Sequence, residues 1–296
     1  MKEKFTAILV GTSCAVITHK IAREFIASAS SAQWDRTSFS GKTVSLKGGL
    51  INAAALSAAA FSQFPHPASF AASVATLSGA IAGYIDDHLE DAFPAKGKGF
   101  RGHLGALRKG KLSSGMMKII LVGAGSLASS GLIATNEVLR KQTQQKKSNK
   151  IAKNLKFTAR VVDSTLIIAG TANLFNLLDL RPGRALKIGT FAALPFLFAE
   201  KSISGMSSGL IAANLMSLPE DLAGTEMLGD LGANALGAAI GTMISLNNSH
   251  LVRATGLVSV IALNIASEKI SFSKVIAENK VLNYLDLLGR NKPSEA

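Results

Sequence analysis

Four acidic residues, Asp86, Asp87, Glu90 and Asp91, stand within six positions at the end of a stretch that carries no charge. The preceding segment, 48–85, contains no Asp, Glu, Lys or Arg, and an uncharged run of that length can be buried in lipid. Neighbouring carboxylates repel each other unless they are solvated or neutralised by a cation. Mg²⁺ prefers carboxylate ligands and bridges them to substrate phosphates. The pair Asp86-Asp87 therefore indicates a metal site for phosphate chemistry, with a solvated helix end carrying ordinary acids as the alternative.

Two amides and an acid recur at intervals of three residues, as Asn173, Asn176 and Asp179. This spacing places them on one face of a helix, with Asp179 at its end. Amides inside an apolar helix are costly unless they are paired, so they indicate either a polar pocket or an amide contact between helices. The acid is followed by three basic residues whose charges suit a diphosphate or, alternatively, anchor the helix in the cytoplasm: Arg181, Arg184 and Lys187.

Two glycine-containing segments have the composition of ligand-binding turns. In the first, the pair Gly48-Gly49 follows Lys42 and Lys47, and a glycine pair at a helix start offers backbone N–H groups to a phosphate. In the second, glycines flank Asp230, which allows close approach of backbone and ligand. The alternatives are a plain turn with basic anchors for the first segment and a seam of small residues between packed helices for the second.

The composition of the chain is that of a membrane protein. Of its 296 residues, 48% are hydrophobic and only 17% charged, whereas soluble domains carry about 25% charged residues. The single cysteine, Cys14, excludes a disulfide framework and a cysteine metal site. The net charge of +13 is typical of basic loops that face the cytoplasm and anionic lipid. No motif of the usual nucleic-acid-binding modules is present, so no nucleic-acid partner is predicted.

Uncharged segments indicate the helices that must position these residues. We predict an all-α, polytopic membrane helix bundle of about nine transmembrane helices, forming a single domain over 1–296. If successive helices alternate in direction, the ends of the third, fifth and seventh lie on one side, which brings Asp86, Asp179 and Asp230 together. The nine segments are 5–18, 48–64, 68–85, 119–136, 164–178, 188–199, 202–219, 231–252 and 254–267.

The distribution of basic residues predicts the orientation in the membrane. In this topology the side that carries the acidic motifs has twenty Lys and Arg residues and the other side has twelve. The positive-inside rule then places the acidic face in the cytoplasm of a multi-pass plasma-membrane protein. The segment 137–160 is basic but falls on the other side, and we interpret it as a polar insertion. The tail 268–296 is amphipathic, which predicts an interfacial helix or a cap over the cytoplasmic site.

Together these motifs resemble the polyprenyl-phosphate N-acetylhexosamine-1-phosphate transferase superfamily, which includes the phospho-N-acetylmuramoyl-pentapeptide transferase of peptidoglycan synthesis. In that family a Gly-Gly loop precedes the second helix and an Asp-Asp motif ends the third. An Asn-x-x-Asn-x-x-Asp run ends the fifth, and a Gly-Asp-x-Gly run follows later. The matching positions here are Gly48-Gly49, Asp86-Asp87, Asn173, Asn176 and Asp179, and Gly229, Asp230 and Gly232.

The resemblance implies Mg²⁺-dependent transfer of a sugar-1-phosphate from a nucleotide diphosphate sugar to a polyprenyl phosphate lipid carrier, as in cell wall biogenesis. It implies that Asp230 is a principal metal ligand, assisted by Asp86. Asp86 or Asp87 would deprotonate the acceptor phosphate, and Asp179 would complete the catalytic set. The expected substrate-binding residues are Asn173, Asn176, Lys42, Lys47, Arg181, Arg184 and Lys187.

Two further functions are consistent with the sequence. Pro182 stands where the family usually has another acid, and the tail from 267 to 289 has no histidine where the family has a histidine-rich motif. These differences favour a non-catalytic relative that binds a lipid carrier or scaffolds envelope enzymes. A membrane transporter is the third alternative, although transporters place their essential charges near the middle of the bilayer rather than at helix ends.

Overall fold

The computed structural model describes residues 2–38, 41–94, 105, 108, 110–142 and 150–290. It is 82% helical and nearly all-α, as the sequence predicts. The first half contains α1 (Lys2–Ala27), a hairpin of β1 (Asp35–Thr37) and β2 (Thr43–Ser45), α2 (Lys47–Phe61), α3 (Pro67–Leu89) and α4 (Ser114–Gln142). The second half contains α5 (Lys150–Leu178), α6 (Arg184–Ala193), α7 (Lys201–Ala223), α8 (Gly229–Leu246), α9 (His250–Ser267), α10 (Phe272–Glu278) and α11 (Lys280–Leu287). Short 3₁₀ turns occupy Ser31–Gln33, Glu90–Ala92 and Leu194–Phe198.

Five helices are long and apolar enough to cross a membrane, so the predicted count of about nine transmembrane helices is not confirmed. The five are α1, α3 with the turn that follows it, α4, α5 and α9. The predicted segment 188–199 divides into α6, which has 10 residues, and a 3₁₀ turn. Ten helical residues rise about 15 Å, which is half the thickness of the hydrocarbon core of about 30 Å. The five candidate spans are compatible with a membrane protein.

Helix α8 forms the centre of the bundle, because every residue from 231 to 243 is buried. Its small side chains let neighbouring helices approach closely. A Cβ on Gly83 of α3 would overlap the backbone of Asp230 and Leu231, and one on Gly79 would lie 2.7 Å from the Asn234 carbonyl oxygen. The acidic end of α3 is therefore held directly against the start of α8.

Replacing Gly83 by Ala should push α3 away from α8. We expect Gly83→Ala to lower the free energy of unfolding by about 2 kcal/mol, the usual cost of forcing an extra carbon into a tight contact. Gly123→Ala in α4 is the matched control, because nothing lies within 4 Å of the added carbon and alanine favours helix. Circular dichroism, followed during unfolding in mixed detergent, measures the free energy of unfolding of each variant. Equal values for the two variants would contradict the close packing.

The two segments with unusual composition are mostly helical where the structure describes them. The basic segment 137–160 contains the end of α4, which extends to Gln142, and the start of α5 at Lys150. Residues 143–149 lie outside the described part of the chain. The C-terminal tail contains α10 and α11, each of which begins with a side-chain cap from Ser271 or Asn279. Residues 291–296 of the predicted amphipathic tail lie outside the described part of the chain.

Candidate functional site

Carboxylates from two helices, α3 and α8, meet at one end of the bundle around a single ammonium group. Lys118, near the start of α4, places its Nζ 3.1 Å from Asp86 Oδ2 and also donates to Asp230 Oδ2. Asn176 fits between them when its amide is oriented to satisfy both neighbours. Its nitrogen then donates to Asp230 Oδ1 at 2.6 Å and its oxygen accepts from Lys118 Nζ at 2.9 Å. We call Asp86, Lys118, Asn176 and Asp230 the Lys118 cluster.

The cluster lies at the boundary between the packed helices and their surroundings. The side chain of Lys118 is 12% exposed, that of Asp86 21% and that of Asp230 28%. Because these side chains are partly shielded from water, the ion pairs between Lys118 and the two carboxylates are stronger than an exposed surface ion pair. Both carboxylates nevertheless keep part of their surface accessible.

Asp87 has a different environment from its neighbour Asp86. Its two carboxylate oxygens accept hydrogen bonds from the backbone N–H groups of Asp230, at 3.2 Å, and Leu231, at 2.9 Å. These N–H groups have no partner within α8, and a negative charge at a helix start is favoured by the helix dipole. Asp87 therefore caps α8 from a neighbouring helix. The Arg36 guanidinium donates to the Asp87 carbonyl at 2.6 Å, which ties β1 to the same place.

Removing the charge of Asp87 should loosen the first turn of α8. An Asn at this position keeps one acceptor oxygen but loses the charge, and a lost N-terminal cap costs about 1 kcal/mol. We expect Asp87→Asn to speed hydrogen exchange at the Asp230 and Leu231 amides by about fivefold. The exposed Asp163→Asn in α5 is the control. Unchanged exchange in Asp87→Asn would show that Asp87 does not hold α8.

Asp179 and Asp221 form a second, deeper group of acids beside the cluster. Asp179 is 7% exposed and accepts a hydrogen bond from the Gly229 backbone, but its Oδ2 has no partner among the described residues. Burial first, and then the charge of Asp221, raises the pKa of Asp179 well above its ordinary value. Asp221 accepts the Gly183 N–H at 2.5 Å, which fixes the turn between α5 and α6.

Two of the predicted diphosphate-binding residues are engaged by the C-terminal tail. The Arg184 guanidinium binds Asp286 of α11 in a two-pronged ion pair, with Nε to Oδ1 at 2.8 Å and Nη2 to Oδ2 at 2.9 Å. Lys187 Nζ donates to the carbonyl oxygens of Leu285 and Asp286, at 2.9 and 2.7 Å. Although burial opposes it, the hydrogen bond and charge of Arg184 hold the pKa of Asp286 below its ordinary value. The tail thus docks on the start of α6.

The remaining predicted substrate residues have contacts outside the Lys118 cluster. Asn173 Nδ2 donates to Asn264 Oδ1 of α9 at 2.7 Å, which is the amide contact between helices named above as an alternative. Lys47 Nζ donates to the Ala29 carbonyl at 2.7 Å, and Lys42 is exposed after the hairpin turn. Arg181 is half-buried just after α5. Their proposed part in substrate binding stays a prediction.

No motif in the sequence marks Lys118 or Asp221 as a site residue. Lys118 directly precedes the uncharged segment 119–136, and Asp221 closely follows the segment 202–219. Helix alternation places both at the same end as Asp86, so their position was a usable signal. A lone cation at a helix end, however, also has the form of an ordinary membrane anchor.

The donor chemistry of this end of the bundle fits Mg²⁺ only in part. Within the described ranges no group of three or more His, Cys, Asp or Glu residues is arranged to hold a metal. Mg²⁺ nevertheless commonly binds through one or two carboxylates, with water and substrate phosphates completing its shell. Asp86 and Asp230 provide two such carboxylates. The residues therefore fit a metal that arrives with a phosphate substrate.

Comparison of the chain with models of known protein families and with curated proteins finds no match. A polar site at one end of the bundle is the feature that points to a function. It consists of an ammonium, an amide and several carboxylates, in a bundle with five helices that are long and apolar enough to cross a membrane.

Proposed function

We propose that the chain transfers a sugar-1-phosphate from a nucleotide diphosphate sugar to a polyprenyl phosphate, as in cell-envelope polysaccharide or peptidoglycan synthesis. The observation that carries the proposal is the Lys118 cluster at one end of the bundle. One substrate is a water-soluble anion and the other is an anionic lipid, so the reaction needs charged groups at the membrane boundary. The cluster supplies both signs of charge there.

In this reaction an oxygen of the acceptor phosphate attacks the phosphorus bonded to the sugar. A new P–O bond forms, the P–O bond to the nucleoside monophosphate breaks, and the monophosphate leaves with the electron pair. Lys118 is placed to stabilise the negative charge on the transferring phosphoryl oxygens. In this proposal one oxygen of Asp86 takes a proton from the acceptor phosphate and the other is left for the metal, because both oxygens of Asp87 already accept backbone hydrogen bonds.

Asp86 and Asp230 are the residues that would hold Mg²⁺, which when bound neutralises charge on the phosphoryl group. In the structure these two carboxylates share the ammonium of Lys118. Lys118 must therefore release at least one of them when substrate binds, and its charge then becomes available to a phosphate oxygen. The excess of basic residues on this side of the predicted topology supports a cytoplasmic active face in the plasma membrane.

A non-catalytic relative that binds a lipid carrier or scaffolds other envelope enzymes is the second candidate. The observation in its favour is that the charged residues are already satisfied by one another. Lys118 is paired with two carboxylates, and Arg184 is paired with Asp286 of the tail.

Binding of the donor separates the two candidates. We expect equilibrium dialysis of the purified full chain against radiolabelled UDP-sugars to show retention that requires Mg²⁺ and disappears with EDTA. Asp86→Asn should abolish this retention, whereas the exposed Asp163→Asn should preserve it. Donor retention that is indifferent to Mg²⁺ and to Asp86, or no retention of any sugar in the set, would favour the non-catalytic relative.

A further inference from the structure

A groove at the other end of the bundle has no part in the proposed function. It lies between the end of α4 and the starts of α5 and α9, and it has a volume of about 480 Å³. Part of its wall comes from the basic segment 137–160. Four basic side chains line it, namely Lys153, Lys156, Arg160 and Arg253.

The charges in the groove are incompletely balanced by protein. Arg160 binds Glu137, with Nε 2.8 Å from Oε2. Arg253 instead donates to the Asn247 carbonyl at 2.6 Å and contacts the His250 ring at 2.8 Å. No carboxylate in the described part of the chain forms an ion pair with Arg253, Lys153 or Lys156. Among the residues that the structure describes, the groove is lined by these four basic side chains and by two acidic ones, Glu137 and Asp163, which gives this part of its wall a net positive charge.

The same groove has an apolar wall. Val138 of α4, Phe157 of α5 and Leu257 of α9 line it beside the basic residues. Only 6% of the residues of α9 are buried inside the protein. Its Leu251 and Val258 are 73% and 67% exposed. A surface of this composition is stable next to hydrocarbon chains and unfavourable in water.

We infer that this groove binds one anionic phospholipid. Its headgroup phosphate lies against Lys156 and Arg253, and one acyl chain lies along α9 beside Leu257. A phosphate diester suits the fork of an arginine next to a lysine, and the apolar wall requires a ligand with a hydrocarbon chain. Neither feature depends on sugar-phosphate transfer at the Lys118 cluster.

Native mass spectrometry of the full chain in detergent, titrated with phosphatidylglycerol or phosphatidylcholine, tests this inference. We expect the protein to retain phosphatidylglycerol more tightly. The double variant Lys156→Gln with Arg253→Gln should weaken its binding about thirtyfold, because two cations near an anionic lipid are lost. The control, Lys20→Gln with Lys269→Gln, changes the net charge equally at exposed positions elsewhere and should leave binding unchanged.

A second variant tests the groove without altering its charge. Ala254 lines the groove and is exposed, so Ala254→Trp should fill the space for the acyl chain and also weaken phosphatidylglycerol binding. Equal binding by the wild-type protein, the double variant and Ala254→Trp would overturn the inference. Displacement of the lipid by an equal concentration of soluble glycerol phosphate would also overturn it, because the site would then recognise phosphate without a lipid.

Discussion

Replacing Asp230 by Asn should lower the rate of nucleoside monophosphate release by about a hundredfold to a thousandfold, the usual effect of removing one group that stabilises a charged transition state. Asp230 bridges Lys118 and Asn176, and its backbone N–H is fixed by Asp87. An Asn side chain has the same shape, so it preserves the position of α8 but removes the negative charge that the metal and Lys118 require. A radiometric assay with Mg²⁺, donor and lipid acceptor measures the rate.

The control for this prediction is Asp163→Asn, the same chemical change at an exposed position of α5 at the other end of the bundle. It should keep wild-type activity. Thermal unfolding of both variants shows whether either change disturbs the fold. Asp230→Asn with wild-type activity and wild-type stability would exclude Asp230 from the reaction.

Replacing Asp286 by Ala should release the C-terminal tail from the bundle. Arg184 and Asp286 are almost completely buried, with side chains 4% and 8% exposed, and breaking a buried ion pair costs about 3–5 kcal/mol because one charge is left without a partner. We therefore expect the amides of α10 and α11 to exchange hydrogen at least about a hundredfold faster. Hydrogen exchange followed by mass spectrometry measures the effect peptide by peptide.

Two controls distinguish the loss of the buried ion pair from a general effect of removing a charge. Glu278→Gln removes a surface partner of Lys274 in the same tail, where the side chains are 65% and 75% exposed, and should change exchange little. Arg184→Met combined with Asp286→Leu replaces both charges of this pair by apolar groups and should restore part of the protection, because Arg290, 2.7 Å from Asp286, still loses its carboxylate partner. Unaltered exchange in Asp286→Ala would show that the ion pair does not hold the tail.

The pH dependence of docking follows from the same pair. The pKa of Asp286 is lowered in the folded protein, so the pair contributes its full stabilisation above the ordinary aspartate pKa of about 4. The contribution disappears as the pH falls through the lowered pKa, because the protonated acid no longer pairs with Arg184.

The uncharged segments of the sequence predicted the helices well, since long apolar runs without charge have few other stable structures in a membrane. Each of the nine segments contains helix in the structure. The number of spans was less predictable. Segment 188–199 divides into a short helix and a 3₁₀ turn that contains Pro195, and 231–252 is interrupted at Asn247-Asn248-Ser249, between α8 and α9. Proline and Asn or Ser residues commonly break helices, but counting uncharged runs takes no account of them.

The candidate site was predictable in its position and less so in its contacts. Helix alternation brings Asp86, Asp179 and Asp230 to one end of the bundle, and the structure places them there. The capping of α8 by Asp87 depends on the register between α3 and α8, which Gly83 sets. Arg184 finds its partner 102 residues away in the tail, and no local pattern indicates a contact at that separation.

The central claim is tested most directly by measuring UMP release from a panel of UDP-sugars by the purified protein with Mg²⁺ and undecaprenyl phosphate. The proposed function predicts release that requires both the metal and the lipid and that Asp230→Asn nearly abolishes. Release that persists without lipid or in Asp230→Asn would contradict the assigned site. Absence of release from every sugar by the folded protein would contradict the transferase and favour a relative that binds the lipid carrier without turning it over.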